Sequence, residues 1–152
     1  MVRRVLAALV VAHLALIPLA LASSRVEYVG GTSAQFPAGA DGRLEVGDDH
    51  YFAFYSKRSQ VRVPYDRIDL LEYGQQVDRR VALAVVISPL LLLSKKRKHF
   101  LTVGYTDDQG KQQALVFQVD KSIIRATLVS LEARTGLKVQ YQDEEARKAG
   151  KG

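Results

Sequence analysis

The chain has 152 residues, room for one domain and a leader, and its 47% hydrophobic and 25% charged residues describe a globular rather than a disordered polypeptide. The formal charge is +6, and lysine and arginine are for the most part interleaved with aspartate and glutamate, as on a soluble surface. There is no cysteine, which excludes disulfides, thiolate chemistry, cysteine-ligated zinc and lipid attachment to cysteine.

Residues 1–22 read as a secretory leader. Arg3-Arg4 give the charged start, Val5 to Leu21 the apolar stretch, and Ala20-Leu21-Ala22 a small-x-small cleavage site. The alternative is an uncleaved amino-terminal anchor, because the apolar stretch approaches the length of a membrane span. Either way the remaining chain is expected to be exported, to the periplasm, the envelope or the medium. Without the leader, 20 basic residues face 16 acidic ones.

Short strands follow. Val26 to Val29 alternates and stops at Gly30-Gly31; Thr32 to Gly42, with Pro37 and Gly39, reads as a loop. Arg43 to Val46 is a second strand, and Gly47-Asp48-Asp49 a turn whose two carboxylates repel phosphate. His50 to Tyr55 is an aromatic strand with Phe52 and Phe54 on one face. Lys57-Arg58-Ser59 turns the chain into Val61 to Val63, which Pro64 ends or places at an edge. In Arg67 to Tyr73, alternation puts Ile68 and Leu70 on one face. Phe100 to Thr106 and Gln113 to Val119 flank Asp107-Asp108-Gln109-Gly110 and form a hairpin, with Leu115, Phe117 and Val119 sharing a face. Asp120 to Thr135 reads as a helix with Asp120 as N-cap, an apolar face of Ile124, Leu128 and Leu131, and Gly136 as its stop. Leu137 to Tyr141 alternates as a last short strand. Residues 143–152 read as a charged flexible tail.

One segment stands apart. Residues 77–98 form an apolar insertion in which Val81 to Ile87 is unbroken, Ser88-Pro89 interrupts, and Leu90 to Leu93 follows. Arg79-Arg80 precede it and Lys95-Lys96-Arg97-Lys98 close it. It has no polar face, and Ser88-Pro89 has the chemistry to start a second short helix. As one helix the run covers about 20 Å, short of a hydrocarbon core of about 30 Å. Two readings stay open, beside a lesser one in which the segment itself is a surface for a protein partner. In one, Val85, Val86, Ile87, Pro89, Leu90, Leu91, Leu92 and Leu93 contact a membrane, while Arg79, Arg80, Lys95, Lys96, Arg97 and Lys98 face anionic lipid heads at about 1 kcal/mol per cation. In the other the segment is internal to the fold, and an exposed edge or groove elsewhere binds a peptide or protein.

The expected fold is mainly β, an α+β arrangement. It comprises a bent antiparallel sheet or partly open barrel of about seven strands, capped by one C-terminal helix and carrying the apolar helical insertion. Gly42-x-Leu44 leading into His50 to Tyr55, the phrase Val63-Pro64-Tyr65-x-x-Ile68-x-x-Leu71-Glu72-x-Gly74, and a hairpin followed by a capping helix resemble the pleckstrin-homology-like family, including its bacterial and GRAM-type versions. The entry Lys95-Lys96-Arg97-Lys98-His99-Phe100 is similar to that of uncharacterised exported bacterial proteins. The resemblance covers roughly Val26 to Gly136, interrupted by the insertion, within one domain read as residues 23–142, and implies a binding scaffold for phosphoinositide heads, peptides or membrane surfaces.

Nothing in the sequence calls for catalysis. There is no nucleophile elbow, phosphate-cradling glycine loop or H-E-x-x-H, and no motif asks for a metal or cofactor. Asp48-Asp49-His50 lacks a second ligand cluster, so turn chemistry accounts for it. Lys95 to Lys98 in an exported chain argues for a solvated or lipid-facing cluster rather than nucleic acid.

Overall fold

The computed structural model describes residues 25–76, 86–87 and 98–151. Its strands are β1 (Val26–Gly31), β2 (Ala40–Glu45), β3 (Tyr51–Ser56), β4 (Gln60–Pro64), β5 (Ile68–Gly74), β6 (Val86–Ile87), β7 (His99–Thr106), β8 (Gln112–Val119) and β9 (Gln140–Tyr141). Helices α1 (Ile124–Thr135) and α2 (Glu144–Lys151) follow β8 and β9. Eight strands lie in the order β4-β3-β2-β1-β8-β7-β5-β9, and β6 adds to β1 off this path. The sheet does not close, since β4 and β9 stand at its two ends. It is mixed, because β9 runs parallel to β5. The described residues are therefore mainly β, as expected, and carry two α-helices after the hairpin where one capping helix was expected.

Local chemistry sets the turns. Asp48 Oδ1 accepts the amides of His50 and Tyr51 at 2.8 and 3.1 Å, shaping the β2–β3 turn. Ser56 Oγ accepts the Ser59 amide at 3.2 Å and donates to its carbonyl at 3.1 Å, fixing the turn that carries Lys57 and Arg58. Asp107 Oδ1 accepts the amides of Gln109 and Lys111, both at 2.9 Å, at the β7–β8 tip. That hairpin pairs in unbroken register from His99↔Val119 to Thr106↔Gln112, as its alternation predicts. β4, which ends at Pro64, has a partner on one side only, the position a proline tolerates.

Several expectations need correction. The loop after β1 stops at Ala40, and Phe36 within it turns inward, 5.3 Å from the Tyr28 ring and 5.2 Å from that of Phe54. A bulge between Ile68 and Leu70 breaks the alternation of β5, so Leu71 and Tyr73, rather than Leu70, join Ile68 in the core. The helix after β8 starts at Ile124; Asp120 instead caps a preceding turn, accepting from the Ser122 amide at 2.8 Å and the Ser122 hydroxyl at 2.6 Å. Its end is as predicted, with Gly136 left-handed at φ 72°. Residues 144–151, read as a flexible tail, form α2, which buries Ala146 and Gly150. Asp143 Oδ1 accepts the Ala146 amide at 2.6 Å at its start. The insertion was expected to be helical, yet Val86 and Ile87 are extended and pair with Gly31 and Gly30 of β1. They occupy the part of β1 that β2, paired only from Val26 to Tyr28, leaves free.

The core is aromatic. Phe117 lies 5.0 Å from Phe54, 5.8 Å from Phe52 and 5.9 Å from Tyr28, ring centre to ring centre. Ile124, Leu128 and Leu131 of α1 join this cluster. The hairpin β7–β8 is buried on both faces. Leu101, Val103, Leu115 and Phe117 point into the cluster, while the alternate residues Phe100, Thr102 and Val116 lie outside it and are still only 6, 5 and 0% exposed. Gln118, paired with Phe100, has its Oε1 buried on that second face without a partner among the described residues.

Candidate functional site

Most of the residues singled out as a membrane contact, Val85, Pro89, Leu90, Leu91, Leu92 and Leu93, lie outside the described residues, as do Arg79, Arg80, Lys95, Lys96 and Arg97 and the leader. Val86 and Ile87 are described as strand β6, and Lys98 is half-buried directly before β7. Among the described residues no helix is long and apolar enough to cross a membrane.

The sheet register fixes where this segment leaves and rejoins the fold. Gly74, the last residue of β5, pairs with Phe100 of β7, so residues 75–99 connect neighbours in one antiparallel ladder. Val26 pairs with Val119, and Val119 pairs with His99. Arg25 and Lys98 therefore enter the sheet at the same end, separated by β8, two strand spacings or about 10 Å apart. At this root the Tyr73 hydroxyl lies 2.5 Å from His99 Nδ1, and the two rings stack with centres 5.9 Å apart. Burial pushes the Tyr73 phenol up to about 12. Burial also lowers the His99 imidazole, helped by Lys121 and opposed by Asp120.

A second arrangement lies on the outer face of β2, β3 and β4. Alternation sends Phe52 and Phe54 inward and Tyr51 and Tyr55 outward. Arg43 pairs directly with Tyr55, and its guanidinium sits 5.0 Å from the ring centre. Arg62, opposite Ala53, reaches diagonally to both tyrosines, 5.1 Å from Tyr51 and 5.8 Å from Tyr55. Arg43 also stands 3.4 Å from Glu45 in an exposed ion pair. Beside this ladder an open groove of about 430 Å³ is lined by Arg25, Asp41, Gly42, Arg43, Tyr55, Ser56 and Lys57. Gly42 is required there: a Cβ would lie 2.4 Å from the Tyr55 carbonyl and 2.5 Å from the Phe54 ring beneath. The groove was not legible as a site because its cations are far apart in sequence; the signal present was the outward parity of Arg43, Tyr55 and Arg62.

The acidic residues weighed for chemistry are tied up structurally. Asp48 serves its turn, and those amide bonds hold its carboxyl below the usual range. Asp49 accepts from Arg134 Nη1 at 3.0 Å, while Arg134 Nη2 donates to the Gly47 carbonyl at 2.7 Å and joins α1 to the β2–β3 turn. Among the described residues no group of three histidines or carboxylates is placed to hold a metal ion. No protein-family model matches this sequence, and no curated protein matches it.

Proposed function

We propose that the chain is a non-enzymatic, exported interaction module of the pleckstrin-homology-like kind, working against a membrane surface through the apolar and basic segment 79–98. The observation that carries this reading is the common root. The strand reached from the leader and both ends of the segment meet at one end of the sheet, where Val26, Val119 and His99 align and Gly74 pairs with Phe100. A chain so arranged has Arg25, Gly74 and Lys98, described residues that flank its two most apolar stretches of sequence, at one end of the sheet. The four-strand meander β1–β4, the second antiparallel set β5, β7 and β8, and the helix after it support the pleckstrin-homology-like part of the reading.

A second reading has its own observation. Burial of Phe100, Thr102 and Val116 on the face opposite the main core, together with the β6–β1 pairing, favours a segment that belongs to the fold. The domain is then an envelope protein that binds a peptide or protein elsewhere. Flotation separates the two, using residues 23–152, which hold every described element, with phosphatidylglycerol and phosphatidylcholine vesicles. A variant with Leu90, Leu91 and Leu92 changed to Ser is the comparison. Under the membrane reading the parent floats with anionic vesicles and the variant, still folded, does not. If neither floats and the variant loses its cooperative melt, the membrane reading is wrong and the second stands.

A further inference from the structure

Strand β4 ends the sheet, and its outer side meets no other strand among the described residues. Its pairing with β3 shows which backbone groups face that side. At one end of the β3–β4 ladder the Ser56 amide donates to the Ser59 carbonyl at 2.9 Å, and at the other the Tyr65 amide donates to the His50 carbonyl at 3.1 Å. Bonded pairs alternate with unbonded ones in an antiparallel ladder, so Phe54 with Val61 and Phe52 with Val63 exchange the bonds between these ends. Gln60, Arg62 and Pro64 therefore turn their backbone groups outward, and all three residues are exposed. Two of the outward positions are closed: Pro64 has no N–H, and the Gln60 carbonyl already accepts Gln35 Nε2 at 2.8 Å. What remains is a donor on Gln60, a donor and an acceptor on Arg62, and an acceptor on Pro64.

We propose that β4 pairs antiparallel with β4 of a second copy of this chain, about a two-fold axis at Arg62. In that register the two Arg62 residues exchange both backbone bonds, and each Gln60 N–H donates to the Pro64 carbonyl opposite. The closed positions then face one another, Pro64 without a donor against the Gln60 carbonyl taken by Gln35. A slide of two residues one way sets the Arg62 N–H against that taken carbonyl, and the other way sets Pro64 against the Arg62 carbonyl. Either slide leaves a backbone group unmatched, at a cost comparable to a lost hydrogen bond. The same register brings opposite charges together, because Arg58 of each copy lies across the axis from Asp66 of the other. Both side chains are exposed, and neither is in an ion pair among the described residues. The like charges at the axis are drawn apart, since each Arg62 guanidinium leans back over Tyr51 and Tyr55 of its own β3. An isologous contact of this kind closes at two copies instead of growing into a fibre. The inference goes beyond the membrane reading and does not depend on segment 79–98.

Sedimentation equilibrium of the purified chain over a range of concentrations, without lipid, tests this, and a monomer–dimer equilibrium is expected. Arg62→Pro deletes the outward N–H while sparing the β3–β4 bonds, and it is expected to abolish the dimer and keep the cooperative melt. Arg62→Ala, which removes the guanidinium and keeps the N–H, is expected to dimerise. If Arg62→Pro does not fold, the charge pair decides. Arg58→Glu or Asp66→Arg alone is expected to weaken the dimer roughly tenfold, and the two together to restore it. A chain that stays monomeric up to about 1 mM overturns the proposal and leaves the edge to an extended segment of another protein. A dimer untouched by Arg62→Pro, or charge variants whose losses add rather than cancel, also overturns it. No vesicle is present in this measurement, so failure of the membrane reading is seen separately, in flotation.

Discussion

Replacing Phe100 by alanine tests what covers the second face of the β7–β8 hairpin. The side chain is 6% exposed, yet it points away from the main core, to which its neighbour Leu101 belongs. If the cover is as dry and well packed as the core, the truncation costs about 3–5 kcal/mol, the range for a large aromatic cut to alanine in an interior. Leu101→Ala, on the opposite face of the same strand, is the internal standard at about 2–5 kcal/mol. Against a typical domain stability of about 5–15 kcal/mol, a loss near 4 raises the unfolded fraction roughly a thousandfold. Urea denaturation followed by circular dichroism measures both, with an unchanged slope showing that the same surface is exposed on unfolding. A cost for Phe100→Ala within about 0.5 kcal/mol, the range of an ordinary surface change, would refute the reasoning. The second face would then be open to solvent and available to a lipid surface, and the membrane reading would gain accordingly.

Two further outcomes follow from the structure. Gly42→Ala places a methyl group against the Tyr55 carbonyl and the Phe54 ring, and overpacking there is expected to cost about 1–3 kcal/mol, read as a lower urea midpoint. An unchanged midpoint would show that the β2–β3 contact is looser than described. Burial pushes the phenols of both Tyr28 and Tyr73 up to about 12. Between the unfolded value of about 10 and the folded value the unfolded chain holds fewer protons, so stability is full below pH 10 and falls as pH rises toward 12. Absorbance at 295 nm should show these two tyrosines ionising together with loss of structure; ionisation near pH 10 in a folded chain would contradict their burial.

The β7–β8 hairpin was legible because its information is local: alternation names the faces, and Asp107 with Gly110 names the turn. Gly136 was legible for the same reason, since a left-handed helix stop depends on one residue. The bulge in β5 was hidden because it exists only relative to the β7 register, and alternation alone assigned Leu70 to the wrong face. The tail was misread because α2 has few apolar residues and gains its place from tertiary contact: Ala146 is buried in the core cluster, and Arg125 Nε donates to the Ala149 carbonyl at 3.2 Å. Phe36 looked like a loop residue until Tyr28 and Phe54 gave it a place to pack.

By itself the sequence determined the mainly-β character, the turn positions and the existence of a segment unlike the rest, since these depend on spacing and on residue type over a few positions. Tertiary structure decided the strand order, which places Arg25 near Lys98 and pairs Gly74 with Phe100 across long stretches of chain. It also decided which cations meet. Arg25, Arg43 and Lys57 share a groove only because β1, β2 and β3 pair in one register. A shift of one residue would send Arg43 inward and dissolve it, because side chains alternate between the two faces of a strand.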